Sequence, residues 1–416
     1  MDKIKKDFFN KKIKFYELEK IIFEKNNNWP QACKIAADWR REKIENELNI
    51  SLPLIKNCFF DTTTEKKTTG IEQKIGGAAV PLAISNPIKI KGEYAKGDFY
   101  IPLATNEAAL VAGLNRGIKA LNTSGVIVKV TDDKMCRAPV LEFNSINDAY
   151  YFTKFIEKND KKLKQSIKSE FCSLVNIKCF QIGRYVWTRF CFTTGDAMGM
   201  NSVTKYSAKL IKEIKSMFDR PLKLVALSGN LCTDKKAAYI DTLLGRGKSV
   251  HAECVIKNDI IKKIWNTDAK TMEKICFVKN YLGSGLSGTS GGFNANAANT
   301  IAAIFIATGQ DAAEIVESSS CFTRAEYKDG ALLFSVTLPS LEIATVGGGT
   351  NFGTAAECLK ILGCHGGGSP PGSNAKKLAE IIASAVMAQE LNLIGTLANE
   401  YELAESHIAL ARGRKK

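Results

Sequence analysis

Histidine is scarce in this chain: His251, His365 and His407 are the only three in 416 residues. The twelve cysteines are scattered singly, with no Cys-x-x-Cys pair and no cysteine–histidine cluster, so no metal site is expected. Such thiols read as the reduced cysteines of an intracellular protein. No run reaches the roughly 18 to 20 apolar residues that span a bilayer. The opening Met1-Asp-Lys-Ile-Lys-Lys6 lacks the apolar core of a signal peptide, and a soluble, cytoplasmic protein is expected. Arginine-rich arms with interleaved aromatics are missing too, which argues against nucleic acid as a partner.

What is present is an ordinary globular composition, 45% hydrophobic and 24% charged, at a length that suits two or three domains. The formal net charge is +15, and much of the excess lies in the N-terminal 25 residues and from Lys154 to Lys178. Such an excess serves solubility or an anionic partner. A polyanionic small molecule, such as coenzyme A or a dinucleotide, fits it better than a nucleic acid does.

Residues 1–67 alternate helical patterns with polar breaks. Amphipathic helices are expected over Ile13–Lys25 and Gln31–Leu48, and the polar tract Asp61–Gly70 closes a small helical domain. Strand-like alternation follows at Ile88–Gly92 and Asp98–Leu103. A helix is then expected from Ala104 to Ala112, capped by Thr105 or Asn106, with Glu107 in its first turn. Gly125–Val130 reads as a further strand.

Residues 139–227 read strand-helix-strand-strand-helix-strand. The helices of this insertion are Ile146–Asn159 and Ser202–Met217, and its clearest strand is Tyr185–Phe192. Beyond Lys236 the chain reads as helical and rich in small residues. Strands are expected there at 332–338 and 341–346, on either side of Pro339, and the last helix carries Glu405-Ser-His-Ile-Ala409. The expected fold class is α+β: a helical N-terminal domain (1–67), a large α/β domain (68–138 and 228–416) and an inserted ferredoxin-like domain (139–227).

The stretch with the most chemistry is Ser228-Gly-Asn-Leu-Cys-Thr-Asp-Lys-Lys-Ala-Ala238, a loop behind the apolar strand Leu222–Leu227. A loop rooted on a rigid strand can hold a cation in place, and a fixed lysine stabilises an oxygen that becomes negative during carbonyl reduction. By themselves Lys235 and Lys236 also fit an ordinary solvated surface. Two glycine turns, Gly283–Gly292 and Val346–Gly353, could present N–H groups to phosphates or be plain turns. Neither reads as a Rossmann fingerprint or a Walker loop.

Five stretches stand in a telling order: Ala104-Thr-Asn-Glu107, Gly195-Asp-Ala-Met-Gly-Met-Asn201, Ser228 to Lys236, Gly309-Gln-Asp-Ala-Ala313 and Thr345-Val-Gly-Gly-Gly-Thr350. With them the chain, from about Gly76 to its C-terminus, resembles the 3-hydroxy-3-methylglutaryl-coenzyme A reductase family of the eukaryote and archaea type. The resemblance implies reduction of the thioester to mevalonate by two dihydronicotinamide molecules in succession. It implies four catalytic roles: Glu107 as a proton donor, Lys235 as the oxyanion's cation, Asp311 as their organiser, and His407 as the acid for the departing thiolate. A thiolate leaving group needs an acid near neutral pKa, which is histidine's range. Burial is expected to raise the pKa of Glu107 so that it can serve as an acid.

The resemblance further implies substrate contacts from Arg137, Ser228, Asn230, Asp234, Lys236, Lys279 and Asn299, with Arg116 near the coenzyme A moiety. Cofactor contacts are implied for Ser169, Glu170, Phe171, Asp196, Met198, Gly199, Met200, Asn201, Val346, Gly347, Gly348, Gly349 and Arg412. It implies NADP(H) as cofactor and a homodimer at least, with a homotetramer usual. One departure stands out. Family members carry Ser-Arg-Phe where this chain has Ser169-Glu170-Phe171, and the arginine meets the 2′-phosphate. A carboxylate repels that phosphate and accepts a hydrogen bond from a ribose 2′-hydroxyl instead, as in NAD sites, so a shift towards NAD(H) is expected unless Lys168, Lys178 or Arg412 holds the phosphate.

Two other classes remain open. A lyase or thiolase acting on coenzyme A esters would need a nucleophilic cysteine with a base beside it, or a metal. A basic binding protein would show a steep salt slope with nucleic acid and would leave the five ordered stretches without a role.

Overall fold

The computed structural model describes residues 1–58, 71–167, 169 and 171–411, apart from the side chains of 407, 410 and 411. The tract Asp61–Gly70, and with it Lys168, Glu170 and Arg412, lies outside the described residues.

Three helices, Asp2–Phe9, Leu18–Asn26 and Trp29–Leu48, close the N-terminal core around Phe8, Leu18, Ile22, Ala32 and Ala36. The third starts where Asn28 accepts the Gln31 N–H at 3.1 Å, an N-cap, and stops at Asn49 in the left-handed region (φ 51). The helix expected from Ile13 begins only at Leu18. The Phe15 carbonyl is taken by Arg40 Nε at 3.1 Å and so is withdrawn from a helical ladder. Arg40 and Arg41, both buried, also reach the carbonyls of Lys74 (3.4 Å) and Ile75 (2.8 Å). The N-terminal helices thereby fasten a segment of the large domain.

That domain is built on a seven-stranded sheet in the order 292–293, 321–328, 331–341, 247–257, 126–137, 88–91, 96–99. Several of its strands differ from the sequence reading. Gly247–Lys257 lies in a stretch read as helical, yet Val250, Ala252, Cys254 and Ile256 point inward while His251, Glu253, Val255 and Lys257 point out, a period of two. Ala331–Leu341 runs straight through Pro339, and no strand covers 342–346. Proline is tolerated there because the register with Gly247–Lys257 slips between Lys248 and Val250, a bulge that needs no ladder N–H. Cys321–Lys328, also unforeseen, pairs outside Ala331–Leu341 and carries the short edge strand 292–293.

Across the sheet lies Ser373–Leu397, a 25-residue helix buried along nearly its whole length. By length and composition it could cross a membrane, but 89% of its apolar window is buried inside the fold, as in a core helix. It packs on Leu110–Leu121, where Gly117 permits the approach: a Cβ there would stand 1.9 Å from the Ala388 carbonyl oxygen.

Strand Val126–Arg137 is the hinge between the two sheets. Its early residues pair with Gly247–Lys257, and Met135–Arg137 pair with Phe190–Phe192 of the insertion. The insertion's strands Val140–Phe143, Ser173–Ile182, Tyr185–Thr193 and Leu222–Ala226 take the spatial order 4-1-3-2, antiparallel throughout. With helices Ile146–Ser166 and Met200–Met217 they form the ferredoxin-like arrangement around their own core. The first helix outruns its expected end at Asn159 by two turns because Leu163 still faces that core.

Candidate functional site

The loop 228–236 leaves the insertion and enters the large domain under unusual constraint. Asn230, Thr233 and Lys235 have positive φ (61°, 55° and 61°), a region that costs a Cβ-bearing residue roughly 1–2 kcal/mol. The loop is held at several points. Gly229 N–H donates to the Ala138 carbonyl at 2.8 Å, the Trp187 indole donates to the Gly229 carbonyl at 2.7 Å, and the Thr233 hydroxyl donates to buried Asp241 at 2.7 Å. Asp234 lies between two guanidinium groups, Arg246 at 3.0 Å and Arg137 at 3.2 Å. Burial pushes its carboxyl up, but the two arginines prevail and hold it below the usual range.

At the loop's tip Lys235 Nζ donates to Asp311 Oδ2 at 3.0 Å, with the two side chains 47% and 40% exposed, so the ammonium remains within reach of a ligand. The hydrogen bond from Asp311 raises the Lys235 pKa against the opposing pull of burial. Asp311 is itself positioned: its other oxygen accepts the Ala313 N–H at 3.0 Å. Next to it the Gln310 amide makes two bonds to the Ala344 backbone, at 3.0 and 2.8 Å. Lys236 Nζ turns back to the Asp234 carbonyl at 2.8 Å, and Ser228 Oγ accepts from Arg137 at 3.0 Å.

Behind the loop sits a group with no counterpart in the sequence reading. Arg246, fully buried, meets Glu317 and Glu342 closely, Glu314 at 3.3 Å, and Met200 Sδ at 3.1 Å. One cation faces four carboxylates here, counting Asp234. Burial, aided by the neighbouring Glu314, pushes Glu317 up to about 8 and Glu342 well above its ordinary range. Asp234, Glu314 and Glu317 bring carboxylate oxygens within 4.8 Å of one another, but the guanidinium already supplies the positive charge between them. The only sequence signal was isolated charge inside apolar context, as in Pro339-Ser-Leu-Glu-Ile343.

A cavity of about 1360 Å³ opens in front of these residues. Arg137, Met198, Gly199, Met200, Asn201, Asp234, Lys235, Asp311 and the Val346–Gly349 turn all line it. The turn suits close approach by a ligand: Gly347 and Gly348 have positive φ (78° and 54°), and nothing lies within 4 Å of a Cβ built on either. Asp196, expected at the cofactor, makes structural bonds here. It is buried, and its oxygens accept the N–H groups of Gly368, Gly372 and Ala375 at 2.8, 2.7 and 2.9 Å, capping helix Ser373–Leu397 from the insertion's turn.

Other expected residues are not among those that line the cavity. Glu107 precedes its helix, which starts at Leu110. It is exposed, not buried as expected, and accepts from Asn299 at 3.1 Å. Arg116 is occupied by Glu402 and by the Ile264 carbonyl (2.8 Å), which ties down the helix Glu402–Ala411 that carries His407. Lys279 is exposed on the π-helix Cys276–Gly283. The following Gly283 to Gly288 spells Gly-x-Gly-x-x-Gly, but it continues that helix and does not follow a strand, so it is no dinucleotide fingerprint. Asn230 contributes its backbone turn. Ser169 Oγ is used within its own turn, accepting the Cys172 N–H at 3.0 Å, and Phe171 is exposed.

A ferredoxin-like insertion, a glycine turn and an aspartate-held ammonium thus meet around one cavity. The hydroxymethylglutaryl-coenzyme A reductase family model matches residues 36–412. The 3-hydroxy-3-methylglutaryl-coenzyme A reductase of Aeropyrum pernix is 48% identical over 384 residues, covering 92% of this chain and 90% of that one. The Pyrococcus horikoshii reductase is 44% identical over 408 residues, covering 97% and 96%. In fold the chain is similar to the class II reductase of Streptococcus pneumoniae, solved bound to NADPH in open conformations, with a TM-score of 0.61, 17% identity, and 86% and 82% coverage. The chain belongs to the hydroxymethylglutaryl-coenzyme A reductase family. It is an oxidoreductase of the mevalonate route.

Proposed function

We propose that this chain converts 3-hydroxy-3-methylglutaryl-coenzyme A to mevalonate and free coenzyme A with Lys235 as the oxyanion's cation. The observation that carries this assignment is the 3.0 Å Lys235–Asp311 pair at the edge of the cavity. NADPH supplies one hydride per molecule, and two molecules are consumed per product. Lys235 steadies the carbonyl oxygen as it turns negative, in both the thioester and aldehyde stages. Glu107 delivers the proton that turns the oxyanion into a hydroxyl. Between the two reductions the C–S bond breaks, and His407 protonates the thiolate.

Arg137, Asp234, Ser228, Asn230, Lys236, Asn299 and Lys279 bind the acyl part, the lysines meeting its free carboxylate. Arg116 acts near coenzyme A by holding the His407 helix. Met198, Gly199, Met200, Asn201 and Val346–Gly349 hold the dinucleotide, with Asp196 fixing their scaffold. Ser169, Glu170, Phe171 and Arg412 are assigned to recognition of its ribose and phosphate, and Glu170 weakens the preference for NADPH over NADH. The assembly is a homodimer at least and a homotetramer at full size, which brings Glu107 and His407 under cover. The protein works in the cytoplasm.

The test is initial rates of substrate-dependent oxidation of NADPH and of NADH. Lys235→Ala is expected to lower kcat about 100-fold or more, and wild-type rates in that variant would overturn the assignment. Glu170→Arg is expected to raise kcat/KM for NADPH relative to NADH. An unchanged ratio assigns the phosphate to another cation.

A further inference from the structure

Lys235 is gripped twice by one short stretch of chain. Its ammonium meets Asp311, and its backbone N–H donates to Glu317 Oε1 at 2.6 Å. Both acids belong to the turns running from Asp311 through Ala312–Glu314 to Ile315–Ser318. That stretch is bound to the sheet, since Ser340 Oγ donates to the Glu317 carbonyl at 2.8 Å and Glu342 N–H donates to Ser318 Oγ at 3.0 Å. A left-handed lysine keeps its strained backbone only where its surroundings over-determine it. The bond from Lys235 N–H to the wholly buried Glu317 is the restraint on that residue's own backbone.

We infer that Glu317 is a positioning residue for the reductive step, holding the Lys235 backbone in the left-handed turn that carries Nζ to Asp311. The inference rests on the proposed role of Lys235 as the oxyanion's cation.

The neighbours of Glu317 set its protonation. Facing it are Arg246, Glu314, Glu342, Asp234 and the Lys235 loop, with the Cys136 thiol behind Arg246. Glu314 Oε1, Glu317 Oε2 and Glu342 Oε2 are buried without a donor. Protons shared among these carboxyls supply the missing donors, in keeping with the raised values of Glu317 and Glu342. In its protonated form Glu317 accepts from Lys235 N–H and donates to a neighbouring carboxylate. Ionised, it adds a further negative charge beside Glu314, Glu342 and Asp234, against Arg246 and the Arg137 that pairs with Asp234, and the grip on Lys235 opens.

The experiment compares wild type, Glu317→Gln, Glu317→Leu and Lys235→Ala by steady-state rates of the oligomeric enzyme across pH, with folding monitored by circular dichroism. Glutamine keeps an acceptor for Lys235 N–H and a donor for Glu314, so Glu317→Gln is expected to stay within about threefold of wild-type kcat at neutral pH. Wild type is expected to show an alkaline fall in kcat near pH 8, beside any limb that the proposed His407 acid contributes, and Glu317→Gln is expected to lose the Glu317 part of it. Glu317→Leu, if folded, is expected to lose about 100-fold in kcat with the KM for substrate little changed. A folded Glu317→Leu with wild-type kcat overturns the inference. So does an alkaline fall near pH 8 that is the same in Glu317→Gln as in wild type, and this arm decides the matter if Glu317→Leu fails to fold. Wild-type rates in Lys235→Ala would instead overturn the role of the lysine, a separate outcome.

Discussion

Single residues in this site divide by what their charge is for. Lys235 and Asp311 remain half exposed, and pairs so close to water contribute little to folding, with a median of about 0–1 kcal/mol. Their pairing therefore acts on chemistry. Asp311→Asn is expected to cut kcat by about 10- to 100-fold while shifting the melting temperature by less than about 2 °C. Kinetics and a thermal melt on the same preparation check both halves, and a large loss of stability with intact kcat would contradict this division. Arg246 is the opposite case, since it is fully buried among acids and its charge holds the backbone that presents the lysine.

At the level of elements, one strand runs through both larger sheets, and a carboxylate of the insertion reaches a helix of the large domain. Val126–Arg137 passes from the first sheet to the second, so Arg137 emerges at the junction, beside the loop from the insertion. Asp196 makes the second connection by capping helix Ser373–Leu397. Asp196→Ala leaves three backbone N–H groups without a partner and is expected to cost about 3 kcal/mol. It should also speed hydrogen exchange over residues 372–376 and raise the KM for NADPH, because the Met198–Asn201 turn loses its anchor. Denaturant melts and exchange measurements check this. Unchanged exchange at the helix start would refute the capping role.

For the whole molecule, the buried acids set how stability depends on pH. Glu317 rises from an ordinary 4.5 to about 8, and burial also raises Glu342, Glu380 and Glu390. Between the unfolded and folded values the folded state binds more protons than the unfolded one. The stabilisation is therefore complete below 4.5 and lost as pH climbs through the folded value. Asp234, held low by two arginines after burial is overcome, works in the other direction, and only at acid pH. Denaturant midpoints are thus expected to fall from pH 6 to pH 9, with a shallower fall in Glu317→Gln. A midpoint that rises over this window would contradict the raised acids.

The chain's linear order determined the parts whose signals are local. The alternation of the insertion's strands and helices and the order of the five stretches were legible, because one-sided burial leaves periodic marks, whereas the cap expected at Thr105 or Asn106 is not the start of its helix, which begins at Leu110. The long helix Ser373–Leu397 left no periodic mark, since a helix buried on every side has no polar face to set a period. Strand Gly247–Lys257 was masked by its setting among small residues. Only the tertiary structure decided that Arg246, Glu314, Glu317 and Glu342 meet behind Lys235. Residues nearly a hundred positions apart are brought together there, in a dry interior where charges must be paired, and no property of the intervening chain encodes that meeting.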